Sequence, residues 1–289
     1  MKMTVTNGHF SVGRYLVGDR VVVGCPKDGY VDIVCEGDEL PRILETGAGS
    51  PTRRVSAAEA RLLPPLDRAS RVFAVAVNYR EHGAEAKTLP PIRPVIFYKA
   101  PSNFVAHGGV LNPNAGMTAK FDYEGEIGVV IGRVCKDATL ETALDHVAGV
   151  CALDDGSARD LTRVSLGPLG PDAKTWPDWT AAKGLDGASA LGPTIACGPD
   201  IVDALRARTL RISTRLNGEV VQDESMTEMI FSTEELIVAL SSYMTLLPGD
   251  VIATGTPAGV GSARNRFLAT GDDLQIQVSG LEPLCVKVG

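Results

Sequence analysis

The sequence lacks the patterns that mark zinc sites, nucleotide sites and membrane spans. Its six cysteines form no Cys-x-x-Cys pair and have no histidine at metal-ligand spacing, so we predict no zinc site and expect the thiols to be small buried groups. Gly-x-Gly-x-x-Gly and Gly-Lys-Ser/Thr motifs are absent, which argues against nucleotide binding. No apolar window has the length of a membrane span, and the N-terminus lacks the apolar core of a signal peptide. We therefore expect a cytoplasmic protein with no membrane partner.

Basic residues are also scarce. The 28 lysines and arginines are outnumbered by 35 aspartates and glutamates, and the formal net charge is −7. A nucleic-acid partner requires a basic face, which no run of lysines and arginines supplies, so small molecules are the expected ligands. The 289 residues, 44% of them hydrophobic, suffice for one large domain with a small appendage.

The apolar runs change character along the chain. Residues 10–34 alternate short apolar runs with turn pairs, which predicts a small, mainly β unit, and residues 61–70 are typical of a connector. We therefore predict a small β-rich N-terminal domain at residues 1–66 and the main domain at residues 67–289.

The main domain contains many strand patterns and few helix patterns. Alternation and β-branched content predict strands at 71–79, 94–99, 126–134, 147–154, 210–222, 250–256 and 273–280. Helical spacing predicts a helix at 139–147, and Ser232 with Glu235 forms a capping box ahead of another. The sequence thus predicts an α+β fold dominated by β-structure, without alternating βα units.

Carboxylates cluster near the ends of two predicted strands. Glu124 and Glu126 would share one face of a strand, while Asp154 and Asp155 end the next one. Considered separately, a solvent-facing strand and a solvated turn explain them. Three carboxylates that converge from two strand ends would instead form an incomplete oxygen shell suited to Mg²⁺, Mn²⁺ or Ca²⁺.

A second set of residues could supply a base and anion-binding groups. His82 and Glu85 are three residues apart, so they would meet on one helical face, although a solvated helix turn is the alternative. Lys183 precedes a glycine-rich turn and could face an enclosed anion, but most lysines are merely solvated. In the loop ATGTPAGVG, the Thr256 hydroxyl and backbone N–H groups such as that of Gly255 could hold a carboxylate, with an ordinary turn as the alternative.

Several motifs together resemble those of the fumarylacetoacetate hydrolase family. In chain order they are Y-R-E-H-x-x-E, FYKAPS, DYEGEIGVVIG, LDDGSARDL, WTAAKGLD, LNGEVVQ, MIFSTEELI and LLPGDVIATGTPAGVG. The resemblance covers about residues 71–288 and implies a mixed β-sandwich roll that is usually a homodimer. The residues before this region resemble the small N-terminal domain of longer bacterial members.

The resemblance also implies roles for individual residues. By motif match, the family's ligands for Mg²⁺ or Mn²⁺ fall on Glu124, Glu126 and Asp155. The catalytic dyad falls on His82 and Glu85. The lysine that contacts substrate falls on Lys183, and the threonine that binds the substrate carboxylate falls on Thr256.

The activity that this resemblance implies is hydrolysis of a carbon–carbon bond in an acylpyruvate-like or other 1,3-dicarbonyl 2-oxo acid. His82 and Glu85 would activate water, and the cation would stabilise the enolate leaving group. The first alternative is decarboxylation or isomerisation of a 2-oxo diacid at the same site. The second is a catalytically weak binding homologue, which a dyad directed away from the cation would favour.

Three positions depart from the family pattern near the expected substrate. The segment 154–157 is Asp-Asp-Gly-Ser where many relatives have Asn-Asp-Val-Ser. Thr162 stands where several acylpyruvate-cleaving members carry glutamine, and residues 184–185 are Gly-Leu in place of a common Ser-Phe pair. These changes leave the substrate open.

Overall fold

The computed structural model describes residues 10–112, 116–166 and 174–289. Its strands are β1 (Phe10–Val17), β2 (Arg20–Lys27), β3 (Tyr30–Cys35), β4 (Arg53–Ser56), β5 (Ala60–Leu63), β6 (Val72–Ala76), β7 (Val95–Lys99), β8 (Phe104–Val105), β9 (Val110–Leu111), β10 (Phe121–Asp122), β11 (Gly125–Ile131), β12 (Val147–Asp154), β13 (Ser157–Ala158), β14 (Arg163–Leu166), β15 (Lys174–Pro177), β16 (Ser189–Cys197), β17 (Arg211–Leu216), β18 (Glu219–Ser225), β19 (Val251–Ala253), β20 (Asp273–Val278) and β21 (Leu284–Val288). Every strand run predicted from the sequence overlaps at least one of them, and the predicted α+β class dominated by β-structure is confirmed.

The helices are short and lie between strands. They are α1 (Leu40–Thr46), α2 (Arg80–Glu85), α3 (Trp179–Lys183), α4 (Pro199–Arg206), α5 (Thr233–Tyr243) and α6 (Gly261–Arg264). The capping box predicted from Ser232 and Glu235 begins α5, because each side chain accepts a hydrogen bond from the other residue's backbone N–H. None of the helices in the described part of the chain is long and apolar enough to cross a membrane.

The helix predicted at 139–147 is wrong. The structure has only a 3-10 turn at Ala143–His146. The Thr139 N–H donates to the Thr142 hydroxyl at 3.0 Å, and a local side-chain bond of this kind favours a turn over a helix. Ala143 and Leu144 are buried in the core, which explains the apolar spacing that suggested a helix.

The largest sheet is mixed and crosses the whole molecule. Its strand order is β4-β3-β2-β1-β16-β12-β11-β19-β6-β7, with β5 paired to β1 and β8 paired to β16. Strand β1 is antiparallel to β16, with Phe10 opposite Cys197. The N-terminal strands therefore extend the sheet of the main domain, and the boundary after residue 66 stays a prediction.

A five-stranded sheet packs against the centre of the large sheet. Its order is β18-β17-β20-β21-β9, and strands β17, β20 and β21 contact β11, β12 and β16. Side chains such as Ile127, Val129 and Ile276 fill the space between the sheets and are almost completely buried. The paired strands β11 and β12 at this interface place the carboxylates of the predicted metal site at one end of the sandwich.

The cysteines match the expectation from the sequence. All six are free thiols, and only Cys285 is not fully buried. Burial raises the pKa of the Cys25 thiol to about 12, with the nearby Asp32 carboxylate acting in the same direction. A thiol with so high a pKa is an inert core group at neutral pH.

Candidate metal centre and adjoining cavity

Three carboxylates converge where strands β11 and β12 begin and end. Glu124 and Glu126 lie at the start of β11, and Asp155 follows the last residue of β12. Gly125 pairs with Asp154 across the two antiparallel strands, which brings Asp155 beside the glutamates. One oxygen of each carboxylate lies within 4.8 Å of one oxygen of the others. All three side chains are buried, so the solvent-facing alternatives do not apply.

The donor set fits a hard divalent cation. It offers only carboxylate oxygens, which are the ligands that Mg²⁺ and Mn²⁺ prefer. Glu126 forms no ion pair with a described lysine or arginine, and its Oε2 accepts from the Gly255 N–H at 2.7 Å. Burial, together with the charges of Asp155 and Glu124, raises the pKa of Glu126 well above its usual value. A cation bound here would relieve this crowding of like charges.

Lys183, the last residue of α3, bridges two of the three carboxylates. Its Nζ lies 2.9 Å from Glu124 Oε2 and 2.7 Å from Asp155 Oδ2. Burial by itself raises the pKa of Glu124, but the charges of Lys183 and Arg159 outweigh burial and lower it. The lysine is buried beside the carboxylates rather than solvated, and its contact with substrate stays a prediction.

Two further cations of the site did not emerge from the sequence. Lys99 is buried, its Nζ lies 2.7 Å from Asp155 Oδ1, and it donates to the Lys183 carbonyl oxygen at 2.7 Å. Arg159 lies with Nη2 2.6 Å from Glu124 Oε1. Lys99 lies in the motif FYKAPS and Arg159 in the motif LDDGSARD. The sequence around each is also typical of a solvated lysine or arginine, so it does not show that either residue is buried beside carboxylates.

His82 and Glu85 form the predicted pair on α2. The His82 Nδ1 lies 2.9 Å from Glu85 Oε1, and the Gly259 N–H donates to both oxygens of Glu85 at 3.2 and 3.0 Å. Gly259 has a φ of +104°, and a Cβ there would lie 1.9 Å from the Val221 carbonyl oxygen, so only glycine fits. His82 is 8% exposed, so the pair is not a solvated helix turn.

One cavity joins the pair to the carboxylates. It has a volume of about 340 Å³ and is lined, among others, by His82, Glu85, Glu124, Asp155, Lys183 and Thr256. Phe97 and Trp179 stack with ring centroids 4.8 Å apart at the wall. The cavity offers space for a small anionic ligand between the His82–Glu85 pair, a buried lysine and the candidate metal site.

Thr256 and Gly255 use their polar groups within the protein. The Thr256 hydroxyl donates to the Gly125 carbonyl oxygen at 3.0 Å and accepts from Gln222 Nε2 at 2.8 Å. The Gly255 N–H serves Glu126. Thr256 lines the cavity, whereas contact of either residue with a substrate carboxylate stays a prediction.

Two of the three departures from the family pattern lie outside the lining of the cavity. Thr162 is exposed, and its hydroxyl donates to the Arg159 carbonyl oxygen at 3.0 Å. The carbonyl oxygens of Gly184 and Leu185 accept from Asn103 Nδ2. Asp154 is fully buried beside the carboxylates and is the departure with an electrostatic consequence.

Asp154 should make the metal-free protein less stable as pH rises. Its Oδ1 accepts from the Glu124 N–H at 2.9 Å, while Oδ2 has no partner among the described residues. Burial raises the pKa of Asp154 from 3.8 to about 8, so the folded protein retains a proton that the unfolded chain has released. Stability contributed by this proton is complete below the unfolded pKa and is lost as pH rises toward the folded pKa.

We therefore expect Asp154→Asn to be stabilising in EDTA-treated protein, by a margin that widens between about pH 5 and about pH 8. The amide oxygen can keep the bond from Glu124, and the amide has no proton to release. The gain in Tm should grow by about 5 °C or more, since about 1 kcal/mol moves the Tm of a domain of this size by roughly 2–4 °C. Differential scanning calorimetry at several pH values measures it, and a constant gap would contradict the explanation.

Comparison with known proteins yields consistent matches. The profile of the family described as "Fumarylacetoacetate (FAA) hydrolase C-terminal" matches residues 71–289. The chain is 34% identical over 274 residues to oxaloacetate tautomerase YisK of Bacillus subtilis, covering 90% of this chain and 86% of that protein. It is 35% identical over 262 residues to the human mitochondrial oxaloacetate tautomerase FAHD2A, covering 86% of this chain and 79% of that protein.

Solved structures show the same architecture. The fumarylacetoacetate hydrolase of Exiguobacterium antarcticum superposes with a TM-score of 0.78 at 30% identity, covering 96% of this chain and 99% of that chain. The 2-hydroxyhepta-2,4-diene-1,7-dioate isomerase of Mycobacterium marinum gives 0.74 at 30% identity, covering 96% and 98%. The match extends over the N-terminal strands as well as the main domain.

Proposed function

Because this chain belongs to the fumarylacetoacetate hydrolase family and has its β-rich fold, we propose that it is a metal-dependent enzyme that interconverts the enol and keto forms of a 2-oxo diacid of the oxaloacetate type. The observation that carries the proposal is that the His82–Glu85 pair and two of the three clustered carboxylates line one cavity of about 340 Å³. Relatives at 34–35% identity are oxaloacetate tautomerases, which favours isomerisation over the hydrolysis expected from the sequence.

Glu124, Glu126 and Asp155 are the residues that would hold Mg²⁺ or Mn²⁺. Such a cation would supply Lewis-acid stabilisation of negative charge that develops on a 2-oxo acid. Lys183 places a further positive charge on the same side of the cavity, beside Glu124 and Asp155. Charge that develops in the substrate is thereby met by groups already in position.

His82 is the residue that moves the proton. Its Nδ1 is engaged by Glu85, which leaves Nε2 as the nitrogen that exchanges a proton with substrate. In the enol-to-keto direction, one proton leaves the enol hydroxyl and one is added to the adjacent carbon, so the reaction needs no net acid or base. Glu85 fixes the ring orientation and stabilises the protonated imidazole, and the Gly259 N–H fixes Glu85.

Hydrolysis of an acylpyruvate is the second candidate. The same pair is placed as a water-activating base requires, which favours this reaction as well. Thr162 replaces the glutamine that several acylpyruvate-cleaving relatives carry. Its hydroxyl donates to the Arg159 carbonyl oxygen, and the residue does not line the cavity, which gives hydrolysis less support than isomerisation. Because the dyad faces the carboxylates instead of turning away, a catalytically weak binding homologue has less support.

One set of assays separates the candidates. Freshly dissolved enol oxaloacetate is followed by the loss of its ultraviolet absorbance, with EDTA and with added Mg²⁺, and acetylpyruvate is tested in parallel. Metal-dependent enol loss without release of CO₂ supports the proposal. Hydrolysis of acetylpyruvate to two acids without enol turnover would replace it with the second candidate, and CO₂ release would indicate a decarboxylase. His82→Ala protein is the control for reaction caused by the metal salt alone.

We also propose a cytoplasmic homodimer. The dimer rests on the family resemblance and on the frequency of two-fold assemblies among soluble proteins. Multi-angle light scattering at micromolar concentration should give twice the chain mass of 30.4 kDa. A monomer mass across that concentration range would contradict the prediction.

A further inference from the structure

Asp122 accepts four hydrogen bonds although it does not line the cavity. Its Oδ1 accepts from the N–H groups of Tyr123 at 2.9 Å and Gly261 at 2.7 Å. Its Oδ2 accepts from the Ser262 N–H at 2.9 Å and from Arg159 Nε at 2.8 Å. The side chain is fully buried. Donors on both oxygens satisfy the buried carboxylate and hold it in a single orientation.

Arg159 connects Asp122 to the metal centre. The guanidinium lies between two carboxylates, with Nε on Asp122 and Nη2 2.6 Å from Glu124 Oε1. Such a planar group can serve both acids at once, and its charge is shared between them. If Asp122 were neutral, the positive charge would be balanced mainly by Glu124, and Arg159 would compete more strongly with a cation for that carboxylate.

A loop connects the same region to the catalytic pair. The Tyr123 hydroxyl donates to the Gly259 carbonyl oxygen at 2.8 Å, and Asp122 holds the next N–H groups of the loop, those of Gly261 and Ser262. The N–H of Gly259 in turn holds Glu85. Residues 122 and 123 therefore hold the loop at 259–262 at two points, one before residue 260 and one after it.

We propose that Asp122 is a positioning residue that keeps Glu124 available to the metal through Arg159 and keeps Glu85 in place through the loop at 259–262. The inference rests on the proposed metal-dependent function and deepens it, since it names a residue that acts on both halves of the site without touching the substrate. Mg²⁺ affinity measured without substrate tests it separately from the reaction.

The test variant is Asp122→Asn. Whichever way the amide is turned, its NH₂ group faces two of the four N–H donors, so half of the contacts lose their acceptor while the side-chain shape is kept. We expect the Kd for MgCl₂, measured by isothermal titration calorimetry, to rise about 10- to 100-fold, as for loss of other groups that support metal ligands. The kcat should fall about tenfold or more with little change in KM, because the catalytic pair is displaced while the cavity lining remains.

Asp160→Asn is the matched control. Asp160 lies next to Arg159 and accepts from the Ala119 N–H at 2.9 Å, but it contacts neither Arg159 nor Glu124 in the described structure. Its Kd for MgCl₂ should equal that of the parent. A merely structural effect of losing the buried Asp122 acceptor would instead appear as a lower Tm with unchanged Kd, and that pattern in Asp122→Asn would overturn the proposal.

Arg159→Lys tests the link if Asp122→Asn does not fold. Lysine keeps the charge but cannot serve both carboxylates with one planar group, so the Mg²⁺ affinity should depart from the parent value, falling if the ammonium pairs with Glu124 and rising if it pairs with Asp122. Parent-like Mg²⁺ affinity in Arg159→Lys would overturn the inference while leaving the proposed function intact. A parent protein that binds neither Mg²⁺ nor Mn²⁺ would overturn both.

Discussion

His82→Ala should slow enol–keto interconversion by a factor of about 100 to 10,000, the usual contribution of a positioned general acid–base group. Glu85 holds the imidazole at the wall of the cavity, and alanine at this position has no group that can carry the proton. The affinity for Mg²⁺ should stay close to that of the parent, because His82 does not belong to the cluster of Glu124, Glu126 and Asp155.

Two comparisons make this test specific. Glu85→Gln should give a milder loss, because the amide oxygen can still accept from the Gly259 N–H but no longer stabilises a protonated ring. His146→Ala is the matched control, since His146 does not line the cavity. Any decarboxylation of oxaloacetate should fall much less than isomerisation, as a chelated 2-oxo acid can lose CO₂ without a base. A His82→Ala enzyme that isomerises at the parent rate would show that the mechanism is wrong.

Glu126→Gln should abolish metal-dependent activity by weakening Mg²⁺ binding more than about 100-fold, beyond the 10- to 100-fold typical of residues outside the ligand shell. The amide keeps the side-chain volume and can still accept from the Gly255 N–H, so no cavity opens in the core. Isothermal titration calorimetry with MgCl₂ and MnCl₂ measures the loss. Glu141→Gln, an exposed position outside the cluster, is the control and should bind like the parent. Undiminished affinity in Glu126→Gln would remove Glu126 from the metal site.

Thermal stability gives an independent reading of the same variant. Without metal, Glu126→Gln should be at least as stable as the parent, because it removes one of three crowded, buried carboxylates. A saturating cation at about 100 times its Kd stabilises a folded protein by about 2.7 kcal/mol, which corresponds to a rise in Tm of roughly 5–10 °C. The parent should show that rise on addition of Mg²⁺ and the variant should not. Equal rises in both proteins would contradict the assignment.

The periodic and local features of the fold were predictable from the sequence. The strand runs at 126–134 and 147–154 became β11 and β12, because alternation and β-branched content report directly on pleated, buried backbone. The Asn217-Gly218 turn joins β17 to β18 with positive φ at both residues, as a two-residue hairpin requires. The helix at 139–147 failed because threonine side chains bond to nearby backbone and the apolar residues serve a 3-10 turn.

The candidate site was predictable where residues are close in the chain. Glu124 with Glu126 and His82 with Glu85 are pairs whose spacing alone brings them together on a strand or a helix turn. That a third carboxylate converges on the glutamates from the next strand end was a hypothesis from the residues, whereas the choice of Asp155 and its placement in one site with His82 and Glu85 depended on motif resemblance. The antiparallel pairing of β11 with β12 supplies the geometry for the first, and the cavity lined by His82, Glu85, Glu124 and Asp155 supplies it for the second.

The sequence by itself determined the fold class, the order of the motifs and the chemistry of the local pairs. Only the tertiary structure brings Lys99, Arg159 and Asp122 to the candidate site. Lys99 contacts Asp155, 56 residues further along the chain, Arg159 contacts Glu124, 35 residues before it, and Asp122 contacts Gly261, 139 residues further along. The physical reason is that a buried charge is recognised by its partner, not by its neighbours in the chain. A lysine or arginine has the same letter whether it is solvated or held between carboxylates, and that difference arises when the strands pair and exclude water.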